Sequence, residues 1–184
     1  MPNFKIPPQL AHLKIESRGY PVPYFVGIID GEPNFKFLNE RKQHECMEHH
    51  LCGICGKKLY KDYSYFISGP IGLRNAVSTD PAMHRVCAEF ALESCPHLKF
   101  QKAIRKENKS DKKDYYMIEE KPEVMVMVKS SKYKKFIEPV NKRWLYRYTP
   151  VRVWAYAYRD GILEFAAECS PGDFDDLFRS LIKK

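Results

Sequence analysis

Cys52-Gly53-Ile54-Cys55-Gly56 and His84-Arg85-Val86-Cys87, with 28 residues between Cys55 and His84, decide how this chain is read. Two thiolates two residues apart sit on a tight turn, a knuckle, in which glycine permits the geometry and backbone amides are directed at the sulfurs. The second pair falls at the expected start of a helix, where residues three apart share a face. Four ligands, Cys52, Cys55, His84 and Cys87, then converge from two short elements separated by an expected β-hairpin. A closed shell of three thiolates and one imidazole points to a structural zinc ion, which leaves no position for water or substrate. The competing reading is a set of reduced core cysteines that bind no metal.

The order knuckle, hairpin, helix-borne pair resembles the treble-clef group of zinc folds over Leu51 to Pro96. The chain is also similar to uncharacterised phage and bacterial proteins in four elements: Pro21 to Pro23, Cys52 to Gly56, Gly69-Pro70 and Pro81 to Glu89. That second resemblance implies zinc and no particular activity. Treble-clef nucleases of the His-Asn-His type need a further histidine as general base beside the metal. Here the helix histidine is spent as a ligand, and Arg74 and Asn75 do not supply the pattern.

Six cysteines could form three disulfides, but the ligand spacing of three of them fits zinc in a reducing compartment better. In His44-Glu-Cys46-Met-Glu-His49-His50, Glu45 and His49 are four apart, as are Cys46 and His50, so each pair could share a helix face. A solvated helix is the plain reading of this cluster, and a second metal or a catalytic thiol the alternative, with no third ligand identifiable nearby. Cys95 lies eight residues after Cys87, about 12 Å along a helix, too far to join the same ion. It reads, with Cys169, as a packed thiol.

Working outward, Tyr24 to Ile29 and the alternating Phe35 and Phe37 predict a hairpin turning at Asp30-Gly31. Asn39 caps an expected helix over 40–50. Leu59 to Ile67 reads as a strand broken by Ser68 to Gly72, with a loop from there to Pro81. A second helix is expected from Met83 until Cys95-Pro96 stops it. Downstream, strands are predicted over 124–128, 144–148, 151–158 and 162–166, the last two joined at Asp160-Gly161. Ser170 then caps a C-terminal helix with Pro171 at its first position. The fold class is α+β: a hairpin and treble-clef-like zinc module over 1–98, a basic connector over 99–122 with an exposed loop at Asn108 to Lys113, and a β-rich part closed by a helix over 123–184. The last part stands alone or forms one compact domain with the first.

The 184 residues are enough to bury a core and carry a formal charge of +8. Residues 1–98 hold 11 Lys+Arg against 10 Asp+Glu, residues 99–147 hold 15 against 7, and the rest 5 against 6, so the excess is localised. From Lys129 to Arg147, the cations Lys129, Lys132, Lys134, Lys135, Lys142, Arg143 and Arg147 alternate with aromatics that include Tyr133 and Trp144. Cations attract phosphates and rings stack on unpaired bases, so the mixture predicts contact with single-stranded RNA or DNA in a non-enzymatic binding protein. From composition alone, a solvated sheet face with core aromatics is the plainer reading. A protein-interaction or inhibitor module presenting the Gly69 to Pro81 loop is the rival from another class. A metal-dependent enzyme is the third possibility, without a phosphate-cradling glycine loop or a nucleophile–base pair to support it. No run approaches the roughly 18 to 20 apolar residues that span a bilayer, and the first residues lack the core of a secretory signal. The expectation is a soluble, cytoplasmic protein.

Overall fold

A computed structural model describes residues 4–60, 62–101 and 121–183. Most of the connector, with the predicted loop at Asn108 to Lys113, therefore lies outside the described residues. The chain begins with a single 3-10 turn, Pro8–Leu10, whose Leu10 is fully buried. A two-stranded antiparallel ribbon follows, β1 (Val26–Ile29) and β2 (Glu32–Leu38). Its turn residues Asp30 and Gly31 have φ of 52° and 82°, the two positive angles that a tight hairpin needs and that an Asp-Gly pair supplies. Helix α1 (Glu40–His49) starts where Asn39 accepts a hydrogen bond from the Lys42 amide, and His50 closes it in the left-handed region.

After the knuckle come β3 (Ser64–Ser68), α2 (Pro70–Asn75), β4 (Val77–Ser78), α3 (Arg85–Ser94) and the single turn α4 (Pro96–Lys99). The second half holds β5 (Val124–Ile137), β6 (Trp144–Arg159), β7 (Ile162–Cys169) and α5 (Phe174–Ile182). These strands form one antiparallel sheet in the order β3-β5-β6-β4, with β7 also paired to β6. Strands from before and after the connector are thus interleaved. No helix among the described residues is long and apolar enough to cross a membrane.

Several expectations are corrected. The knuckle and α3 are not separated by a hairpin: β3 pairs with β5 and β4 with β6. The expected Gly69 to Pro81 loop contains α2 and β4 instead. Pro70 sits at the first helical position, where its missing N–H costs nothing, and Ala76 ends the helix at φ 51°. The predicted strand at 59–67 shrinks to β3, because the Leu59 amide donates to His50 O and belongs to the knuckle. The strand at 124–128 runs on to Ile137, and the two strands at 144–148 and 151–158 are one, β6, with Pro150 inside it.

Pro150 is tolerated because the ladder slips there: the β5–β6 register shifts between Lys129 and Lys132, and Ser130 lies opposite Pro150. Ser130, almost completely buried, accepts the Thr149 N–H through Oγ at 3.1 Å and donates to Lys132 O at 2.6 Å. At the C-terminus, Asp173 occupies the cap of α5 and Ser170 Oγ donates to Asp173 Oδ2 at 2.7 Å, so Pro171 lies in the preceding turn rather than in the helix.

The core is an aromatic stack against a β-branched floor. Phe66 is fully buried, lies parallel to Tyr148 with ring centroids 4.7 Å apart, and meets the edge of Tyr133 at 5.7 Å. Val126, Val128 and Val153 form the floor. Truncating Phe66 removes contacts that nothing adjacent can replace. Phe66→Ala should therefore lose roughly 3–5 kcal/mol of stability, read by urea unfolding at constant metal. A loss below about 1 kcal/mol would mean that the stack collapses to fill the gap.

Candidate metal centre

Leu51 and Lys58 form an isolated antiparallel bridge, and inside it the Cys52 N–H donates to Lys57 O at 2.8 Å and the Gly56 N–H to Cys52 O at 2.8 Å. Both glycines are dictated by their surroundings. Gly56 has φ +69°, and a Cβ there would lie 2.8 Å from the Tyr24 ring; one on Gly53 would lie 2.9 Å from both Phe25 and Pro81. The chain before β1 packs along the knuckle, the Tyr24 N–H donating to Ile54 O and the Phe25 N–H to Gly53 O. Tyr24 is held in place from behind by donating its hydroxyl proton to Glu45 at 2.5 Å.

The second ligand pair is delivered by the entry to α3. Met83 pairs with Tyr65 of β3 through two backbone hydrogen bonds, and His84 caps the helix, placing Cys87 in its first turn. Cys52, Cys55, His84 and Cys87 converge with all four ligand atoms within 4.8 Å of one another. Cys52 and Cys87 are fully buried, Cys55 is 3% exposed and His84 9%. His84 Nδ1 stands 3.4 Å from Cys55 Sγ and 3.9 Å from Cys87 Sγ. These separations match the edges, about 3.5–3.8 Å, of a tetrahedron built on metal–sulfur and metal–nitrogen bonds of about 2.3 and 2.1 Å. The cluster could hold a metal ion, and it is the one such group of three or more His, Cys, Asp or Glu side chains among the described residues.

The histidine tautomer follows from its other nitrogen. His84 Nε2 lies 3.0 Å from Lys58 O. A carbonyl only accepts, so Nε2 carries a proton and Nδ1 is the nitrogen that faces the sulfurs, free to ligate once its own proton is displaced. The His84 N–H also reaches Cys52 Sγ at 3.5 Å, and the Lys57 amide at the end of the knuckle hydrogen-bonds Cys55, so amides from both ligand-bearing segments face the sulfurs. Hydrogen bonds to Cys52 and Cys55 raise the His84 pKa to about 10. Hydrogen bonds with Cys52 and Cys87 hold the Cys55 thiol far below its ordinary value, while Cys52, Cys55 and burial push Cys87 far above it. Three sulfurs so close cannot all ionise unless a cation neutralises them, so a metal bound here would displace protons.

No known family model, curated protein or solved structure matches this chain.

The remaining sequence-derived candidates are dispersed. In the His44 to His50 segment, His44 packs edge-on against Trp144 at 4.7 Å, Glu45 is engaged by Tyr24 and Arg41, and Cys46 is 1% exposed. His50 lies beyond the helix end with its Nδ1 3.0 Å from the Tyr133 hydroxyl, so it shares no face with Cys46. Burial raises the thiol pKa of Cys46 to about 12 and pushes those of Cys95 and Cys169 upward, as for packed thiols.

The basic residues of the β5–β6 hairpin are sorted by strand alternation. Tyr133 packs against Phe66 and His50, and Trp144 receives His44 on its edge and Lys135 Nζ 5.5 Å from its centroid. Lys135 also approaches Glu48 at 3.9 Å. Lys132, Lys134 and Arg147 are exposed, Lys134 standing directly across from Arg147 in the register. Lys142 and Arg143 are exposed in the connecting turn, and Lys129 places its ammonium 3.5 Å from the centroid of Tyr63.

Sequence reasoning had no access to Lys58 O or to Tyr24: a backbone acceptor carries no side-chain signal, and Tyr24 is remote from the knuckle along the chain. Gly56→Ala tests that packing. It should lower both the melting temperature and the bound metal per chain, measured by thermal unfolding and elemental analysis. Unchanged values for both would show that Tyr24 gives way without consequence.

Proposed function

We propose that this protein is a zinc-stabilised, non-enzymatic scaffold in which Cys52, Cys55, His84 Nδ1 and Cys87 hold one structural zinc ion. The observation that carries the reading is the convergence of the site: four soft or borderline donors, each no more than 9% exposed, lie within 4.8 Å of one another, and a four-donor shell leaves no position for water or substrate. The knuckle followed by a helix-borne pair supports a treble-clef-like module whose intervening strands have joined the central sheet.

A second reading concerns the partner. Lys134 and Arg147 face each other across β5 and β6, an arrangement of like charges that costs stability in a sheet, and among the described residues neither has an acidic partner. Together with Lys132 they favour an anionic partner, and single-stranded nucleic acid, held through its phosphates, is the partner we assign. Base stacking on Tyr133 and Trp144 drops out, since both rings are taken up by protein neighbours.

Purified protein should contain one zinc per chain, with X-ray absorption giving about three sulfurs near 2.3 Å and one nitrogen near 2.1 Å. Cys52→Ser and Cys87→Ser should each lose the metal and unfold the module, because metal binding and folding share one free energy. Metal-free protein with unchanged thermal stability would overturn the zinc reading.

Affinity for single-stranded RNA or DNA should fall steeply with salt, and the triple change Lys132→Gln, Lys134→Gln, Arg147→Gln should flatten the log–log salt slope by about 2, roughly 0.7 for each lost phosphate contact. Trp144→Ala should leave the affinity unchanged. Absence of binding by the wild type at about 50 mM salt, where exposed charges are weakly screened, would remove nucleic acid as the partner.

A further inference from the structure

Apart from the metal donors, the structure contains a cavity of about 250 Å³ enclosed by the chain before β1, the β1–β2 ribbon, Ile67 of β3 and the far end of α3 with α4. Its walls are apolar, with Phe25, Phe35, Ile67, Met83 and Phe90 among them. One carboxyl group, that of Asp80, belongs to the lining. Among the described residues its sole side-chain partner is the Thr79 hydroxyl, 3.5 Å from Oδ1 and at the outer limit of a hydrogen bond, while its backbone is fixed by Ser78.

Two other polar side chains around the cavity are already committed. Arg18 pairs with Glu16 at 2.9 Å and lies over the rings of Tyr20 and Phe35. Ser94 donates to Phe90 O at 2.6 Å. Burial raises the Asp80 pKa, as it must for a carboxylate with no cation beside it. Asp80 belongs to the cavity lining beside Cys95, whose thiol feels its charge, and among the described residues no basic side chain pairs with it.

We propose that this cavity binds a small organic cation, an apolar aromatic or aliphatic body carrying one protonated amine, with the body against Phe25, Met83 and Phe90 and the ammonium on Asp80. The volume suits a fragment of one ring and a short chain, and a buried charge–charge hydrogen bond rewards the amine over any isosteric neutral group. An anion of the same shape would meet the Asp80 carboxylate, and the one arginine of the lining, Arg18, is already paired with Glu16.

The test uses the full metal-loaded chain and three probes of one shape: 2-phenylethylamine, 2-phenylethanol and 3-phenylpropionate, each titrated by NMR chemical shift. The amine should bind saturably with one site per chain, about tenfold tighter than the alcohol, with the carboxylate weakest. Asp80→Asn should abolish the preference for the amine while alcohol binding persists. Ala91→Phe, which fills the cavity from α3, should abolish binding of both while metal content and the β-sheet resonances stay as in the wild type. Failure of the amine to saturate at millimolar concentration would overturn the proposal. So would a carboxylate that binds as well as the amine, or an amine preference that survives Asp80→Asn. Each of these results leaves the zinc assignment standing, because metal content is read independently on the same samples.

Discussion

The segment Ala82–Met83 is the splice on which the molecule depends. On one side Ala82 O accepts the Gly53 N–H at 3.0 Å, tying the knuckle down; on the other, Met83 exchanges two backbone hydrogen bonds with Tyr65 at 2.8 and 2.9 Å, tying the same segment to β3. His84 follows immediately, so the position of the imidazole is set by the sheet and not by a flexible linker. Met83 and Ala82 are themselves buried, which protects these bonds from competition with water. A metal bound by the four donors would thus clamp three separate pieces, the knuckle, the edge strand β3 and the start of α3. Mechanical coupling between the metal centre and the sheet runs through two amides.

The sequence showed the four donors because ligand spacing is a local property that survives any surrounding topology. It showed the turns at Asp30-Gly31 and Asp160-Gly161 for the same reason: both pairs adopt the positive φ angles that such residues tolerate. What it hid was long-range. A two-residue strand such as Val77–Ser78 has no periodicity of its own and exists because Arg147 and Tyr146 of β6 offer it a ladder. The basic run after Val128 reads as polar and irregular, yet it is a strand because β6 pairs with it to Ile137. Pro150 reads as a breaker until the buried Ser130 hydroxyl is seen to compensate the slipped register. In each case the decisive partner is another strand, from the hairpin neighbour Trp144 opposite Ile137 to the distant Arg147 opposite Val77, and propensity read along one segment does not see it.

Alternation also separates two properties that composition had joined. Between Lys129 and Arg147, cations and aromatics are mixed in sequence, but a strand sends neighbours to opposite faces. Tyr133, Tyr146 and Tyr148 enter the core around Phe66, and burial raises the hydroxyl pKa of Tyr133 and Tyr148 to about 12 and that of Tyr146 further still. Lys132, Lys134 and Arg147 remain outside. The same nineteen-residue stretch supplies packing energy on one side and a field of positive charge on the other, with Arg147, 4.8 Å from the Phe136 ring centroid, and Lys135, 5.5 Å from that of Trp144, joining the two.

Pro150 has a further consequence for how the molecule meets its own copies. The outer edge of β6 is occupied twice, by β4 at Tyr146 and Arg147 and by β7 from Val153 onward, which leaves a short uncovered interval between them. The Thr149 N–H points inward to Ser130 and the Tyr148 N–H outward to Ala76 O, so by alternation the position-150 amide would point outward into that interval. Proline has no such donor. An intruding strand finds the gap without its amide and flanked by strands already paired, so the break in the ladder guards the sheet against edge-to-edge aggregation.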